Sequence, residues 1–136
     1  MDDLVQWLGE QLDEEQREAE DALKKTTTTR RRIGGRWVED VVQPPEWRRS
    51  AWSPARVLRE IDADRRILDL YVTAVAERVA LRTRMRALTD KELDEFGRLH
   101  AQESVLIETG RRLAPIVRLL ALPYEDRPGY REEWRP

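Results

Sequence analysis

The chain has 136 residues, enough for one domain with one core, and its 38% charged and 40% hydrophobic content suits long helices with one apolar stripe and a charged outer face. Its 27 acids and 25 bases leave a net charge of −2, so no global field draws it to nucleic acid or to a membrane surface. The lack of cysteine excludes disulfides, thiolate catalysis, iron–sulfur clusters and cysteine-based zinc sites.

The opening MDDLVQWLGEQ is acidic where a signal peptide is basic, and it lacks an apolar h-region. No window approaches the ~18 apolar residues that span a bilayer. The expectation is a cytosolic protein without a membrane segment. Residues 1–24 read as a first helix, because Leu4, Val5, Leu8, Leu12, Ala19, Ala22 and Leu23 recur at spacings of three and four. Asp2 and Asp3 favour its start, and Lys24 with Lys25 its end. Trp7 lies beside the stripe.

Residues 25–53 hold TTTT, Gly34-Gly35, Pro44-Pro45 and the tryptophans Trp37, Trp47 and Trp52. Threonines are poor helix formers and Gly-Gly breaks a helix. RWVEDVV has strand composition, but no clear partner strand follows it. This predicts an irregular strap with room for a small hairpin.

Ser53-Pro54 starts the second helix, 54–88, with serine as N-cap and proline at the first helical position. Its stripe runs through Leu58, Ile61, Leu68, Val72, Val75 and Val79, with Met85 and Leu88 near the end. LTDKEL opens the third helix, 89–122. Thr89 and Glu92 have capping-box spacing, and Leu88 with Leu93 can form the hydrophobic staple. The third stripe is Leu93, Phe96, Leu99, Leu106, Leu113, Ile116, Val117 and Leu120, with a kink or a new turn expected at Pro115. Residues 123–136 form a separate extension, with turn chemistry at Arg127-Pro128-Gly129-Tyr130. The tight link makes the second and third helices antiparallel neighbours. The predicted fold is all-α: one domain, an antiparallel three-helix bundle with a long hairpin that exposes part of its stripe.

Three stretches carry a resemblance: MDDLVQWLGEQLDEEQREAEDA, SPARVLREIDADRRILDLY and LLALPYEDRPGYREEWRP. They resemble a family of small uncharacterised proteins from Streptomyces, related actinobacteria and their phages, known as a domain of unknown function. Similar members carry a GPW-like segment after the first helix and histidines before the PARVL phrase. Here those places read IGGRW and RRSAWSPARVL, so no metal or catalytic role built on the histidines carries over. The resemblance implies an actinobacterial or phage host and a cytosolic setting, and no reaction, ligand or site residue.

Four features have chemical readings. KKTTTTRRRIGGRW, residues 24–37, holds Lys24, Lys25, Arg30, Arg31, Arg32 and Arg36 and no acid. It reads either as an arm that grips phosphates, with Trp37 stacking on a base, or as a solvated loop. The loop reading is preferred, because residues 1–24 contain nine acids against two bases and can neutralise it. His100 and Glu103 stand one helical turn apart, but a lone histidine is too few ligands for a metal centre. Asp62, Asp64 and Asp69 lie among Arg59, Arg65 and Arg66, where surface ion pairs are the simpler account than acid–base chemistry. Tyr124, Tyr130 and Trp134 read as a docking peptide or, preferably, as a strap that closes the bundle.

No catalytic, cofactor-binding or metal residue is assigned, and no cofactor, membrane or small-molecule ligand is expected. The expected function is a non-catalytic protein-interaction or regulatory module whose partner is another protein or a second copy. The alternative is a nucleic-acid-binding accessory protein using the basic residues of 24–36.

Overall fold

A computed structural model of the chain describes residues 1–25, 29–40, 53–89 and 92–136. The chain folds as an all-α helical bundle with three long helices: α1 (Asp2–Lys25), α2 (Pro54–Arg86) and α3 (Leu93–Ala121). A two-stranded antiparallel hairpin, β1 (Thr29–Ile33) and β2 (Arg36–Asp40), follows α1. Short 3-10 turns at Leu122–Tyr124 and Glu132–Trp134 complete the tail. Among the described residues, no helix is long and apolar enough to cross a membrane.

The described part of the expected strap is ordered as that hairpin. The partner strand precedes RWVED in sequence, in TRRRI. Gly34 and Gly35 both take positive φ, +58° and +81°, the requirement of the two-residue turn that matches strand twist. The register sets Arg32 opposite Trp37 and Arg30 opposite Glu39. Thr26–Thr28, Pro44-Pro45, Trp47 and Trp52 lie outside the described residues.

The chain divides into two compact units, residues 10–63 and residues 1–9 with 64–136. In the first, Leu12, Ala19, Val57 and Ile61 are buried. In the second, the core gathers Leu4, Leu8, Leu68, Tyr71, Ala74, Leu99, Val117, Ala121, Tyr124 and Trp134. The core face of α2 therefore passes through Tyr71 and Ala74, whereas the expected stripe residues Val72 and Val79 are 42% and 60% exposed. Leu93 and Phe96 on α3 are exposed as well. The expected stripes hold at Ile61 and Leu68 on α2 and at Leu99 and Val117 on α3, all buried, and depart from the core face of α2 beyond Leu68. A large ring at Tyr71 buries more apolar surface than valine at Val72 would.

α3 opens as its local chemistry dictates. The Glu92 carboxylate accepts hydrogen bonds from the Thr89 N–H and hydroxyl, each at 2.9 Å. This is the reach-back half of a capping box, and those two donors hold the Glu92 carboxyl below its ordinary pKa. α3 continues through Pro115 without a break in its assigned span. It ends at Ala121, where Pro123 enters a 3-10 turn.

Candidate interaction surface

The tail takes its place first, because it decides which aromatic rings remain outside. Arg127–Tyr130 forms a turn closed by the Tyr130 N–H donating to the Arg127 carbonyl at 3.3 Å. Proline and glycine occupy its centre, with Gly129 at φ +88°. A Cβ at Gly129 would stand 2.9 Å from Trp7 Nε1, so glycine is needed for backbone and space alike. The Trp7 indole N–H donates to the Pro128 carbonyl at 3.1 Å.

The Trp7 ring meets Trp134 at 5.3 Å and Tyr130 at 5.7 Å between centroids, and Tyr130 meets Trp134 edge-on at 5.9 Å. Arg131 lies over Trp134 at 5.3 Å and pairs with Asp3 at 2.9 Å. Arg135 pairs with Glu125 and Glu132 at 2.8 and 2.7 Å. Of the residues expected as docking anchors, Tyr124 and Trp134 are buried and Tyr130 is half-buried. Their rings are engaged within this unit, on Trp7 or, for Tyr124, beneath Arg127. The hub, Trp7, stood beside the α1 stripe in the sequence, and no spacing there points to the tail.

The α2–α3 hairpin is locked by charge. The Glu103 carboxylate is buried and accepts a hydrogen bond from Arg82. Arg78 lies 3.6 Å away, and His100 Nδ1 lies 4.0 Å from the other oxygen. The Arg82 hydrogen bond, with the charges of both arginines, holds the Glu103 carboxyl below its ordinary pKa against the opposing effect of desolvation. Arg84 and Arg98 both reach Glu95. The sequence did carry a signal for this clamp. Glu103 stands four residues after Leu99 and three before Leu106, on the apolar side of α3, where a carboxylate needs a cation.

Outside this clamp the hairpin offers an open, largely apolar face. A groove of about 560 Å³ runs between Ala80, Leu81 and Arg84 on α2 and Gln102, Val105 and Leu106 on α3. A second, of about 500 Å³, shares Glu77 and Leu106 with it and extends to Leu70, Ala74 and Thr109. Leu70 is 60% exposed and Val105 65%. Glu108, on the α3 shoulder of this face, accepts hydrogen bonds from Arg111 and Arg112, which hold its pKa at about 2.

The remaining candidate residues are placed as follows. Lys24, in the last turn of α1, is exposed and lies 3.4 Å from Asp21. Lys25 is the last residue of α1, Arg30, Arg31 and Arg32 lie in β1, and Arg36 is exposed in β2. The side chains of Lys25 and Arg30–Arg32 lie outside the described residues. Asp69 lines the second groove beside Arg66. Among the described residues, no group of three or more histidine, aspartate and glutamate side chains is placed to hold a metal.

A family model matches residues 1–136, the whole chain, and the chain belongs to that family of unknown function (DUF6221). No curated protein and no solved structure matches it.

Proposed function

We propose that this member of the family is a non-catalytic protein-interaction module of an actinobacterial or actinophage cytosol, and that it binds through the outward face of the α2–α3 hairpin. The observation that carries the reading is the contrast in exposure on one scaffold. The tail aromatics are turned inward, while Leu70 and Val105 stand in water. Contiguous exposed apolar surface along a groove is the mark of an interface. Glu103, the most buried carboxylate among the described residues, is held ionised between arginines, which suits a structural clamp better than proton transfer. The host and the cytosolic setting both rest on the resemblance.

The test is capture of partners on the immobilised full chain, compared with Leu70→Asp and Val105→Asp. Both positions are exposed, so the variants should keep the wild-type melting curve and lose the captured protein. Retention of every partner by both variants sinks the reading.

The hairpin register supports a second reading. It gathers Arg30, Arg31 and Arg32 on one strand and Arg36 on the other, with Trp37 opposite Arg32, so a ribbon of this composition suits a phosphate backbone. Fluorescence anisotropy with single- and double-stranded oligonucleotides would then show binding that falls steeply with salt. Arginine-to-glutamine changes at 30, 31 and 32 should abolish it.

A further inference from the structure

We infer that the occupant of the hairpin face is a second copy of this chain, laid antiparallel across a twofold axis level with Gly110. This rests on the interaction reading above and names its partner. The argument comes from charges on two helices that point to one axis.

On α2 the residues that line the open side include Arg66, Leu70, Thr73 and Glu77. Their spacing of four, three and four reads the same in both directions. An antiparallel α2 centred between Tyr71 and Val72 therefore sets Arg66 opposite Glu77 of the second copy, and Leu70 opposite Thr73. On α3, Glu108 and Arg112 stand on the rim of the same face and bracket Gly110. An antiparallel α3 centred at Gly110 sets Glu108 opposite Arg112 of the second copy, in both directions.

These two centres are chosen independently, one from each helix. The structure then fixes how the helices are registered. Arg78 and Arg82 reach Glu103, and Arg84 reaches Glu95, so α2 and α3 run antiparallel. One heptad back along α2 from Arg78 is Tyr71, and one heptad forward along α3 from Glu103 is Gly110. The Arg82–Glu103 and Arg84–Glu95 contacts bracket this register, setting Gly110 level with Val75 and with Asp69 respectively, so the two centres share a height to within about one helical turn and a single twofold axis serves both helices.

A twofold interface needs one patch that is complementary to itself. A foreign partner requires no such palindrome. Glu77 has no ion pair among the described residues, and Glu108 already holds Arg111 and Arg112, so the second copy extends an existing network. Leu70, Leu106 and Val105 supply the apolar part of the interface. Opposite charges across it set the register and disfavour other alignments.

The experiment is light scattering of the full chain over a concentration series at low and high salt. The expected mass is twice the 16.1 kDa of one chain, with association that weakens as salt rises. Glu108→Arg alone and Arg112→Glu alone each set like charges face to face and should weaken association roughly ten- to a hundredfold. Mixed in equal amounts, the two variants regain opposite charges in trans and should form a heterodimer. Helicity and melting curves of each variant confirm that it folds.

A second probe uses the lack of cysteine. Thr109→Cys, beside the axis, should cross-link between copies far faster than Thr83→Cys, which is remote from it. A wild-type monomer at every concentration overturns the proposal. So does a dimer that survives both reversals, mixing that restores nothing, or equal cross-linking at the two cysteines. A wild-type monomer that still captures a partner through Leu70 and Val105 sinks the second copy alone. Loss of both outcomes sinks the interaction reading with it.

Discussion

The tail cluster and the hairpin face lie in one compact unit and treat their apolar side chains in opposite ways. Around Trp7 the tail packs rings against rings, with Arg131 over Trp134 and the indole N–H on a carbonyl, although the buried Tyr130 hydroxyl has no hydrogen-bond partner among the described residues. Along α2 and α3, leucines and valines stand in water among charges, of which Glu103 is paired across the hairpin and Glu108 along its own helix. The first region is a closed arrangement whose loss should be felt as stability. The second is left open, and its loss should be felt as association. The difference teaches that aromatic content is a poor guide to an interface when a turn can fold the rings home. Exposure along a groove is the better one.

The largest expected effect breaks the closed region. Trp134→Ala removes a buried indole that touches Trp7 and Tyr130, and about 3–5 kcal/mol of stability should go with it, read by chemical denaturation. Trp7→Ala should cost as much and should lose little more when combined with Trp134→Ala, because the rings act on each other. A double variant whose losses simply add would mean that the two rings are stabilised separately.

Gly129→Ala sharpens the same side with a single methyl group. The new Cβ meets the Trp7 ring at 2.9 Å on a backbone at φ +88°, and the strain should cost about 1–3 kcal/mol. By contrast, alanine at Gly97 on α3 has open space around it and should stabilise the helix by about 0.5–1 kcal/mol. Opposite signs at the two glycines, read from paired melting curves, are the expected outcome. A neutral Gly129→Ala would show that the turn can give way and that the tail is held more loosely than its contacts imply.

On the open side, Val105→Ser and Leu70→Ser should change stability by less than about 0.5 kcal/mol, since neither side chain is buried. Any loss of association in these variants is then attributable to the surface. A drop in stability comparable to that of Trp134→Ala would place these residues in a core and erase the contrast.

What was legible in the sequence follows the range of the forces. The helices, the reach-back of Glu92 to Thr89 and the Pro-Gly turn at 128–129 are set by neighbours within four residues, and each is present in the structure. The Gly34-Gly35 turn is equally local, yet its partner strand was sought after RWVED and lies before it. The inward face of α2 beyond Leu68 and the long-range pairing were not legible. Spacing alone does not choose between Tyr71 and Val72 for the core face of α2. Nothing in Trp7 announces a contact with Pro128, 121 residues away. For the candidate site, the sequence raised an exposed stripe on the hairpin, and Val72, Val79, Leu93 and Phe96 of that stripe are exposed, but Leu70 and Val105, which carry the groove, lie outside it. Those two were not legible, because which side of each helix stays open is set by packing between helices distant in sequence and not by spacing along either one.

The smallest effect concerns acid. Two arginines hold the Glu108 carboxyl at about 2 in the fold, from an ordinary value of 4.5. A lowered folded pKa gives a contribution that is complete above the ordinary value and is lost as the pH falls toward the folded one. Stability should therefore be flat with respect to Glu108 near neutrality and should fall between about pH 4.5 and pH 2. Glu103 and Glu92, both lowered, act in the same direction. Glu108→Gln should flatten part of that acid limb and leave the neutral melting curve almost unchanged, because an exposed helical pair contributes little. The same substitution removes one partner of the proposed contact between copies. If association weakens at neutral pH while the monomer melts as before, the open face binds through Glu108. If stability and association fall together, Glu108 belongs to the closed side of the comparison.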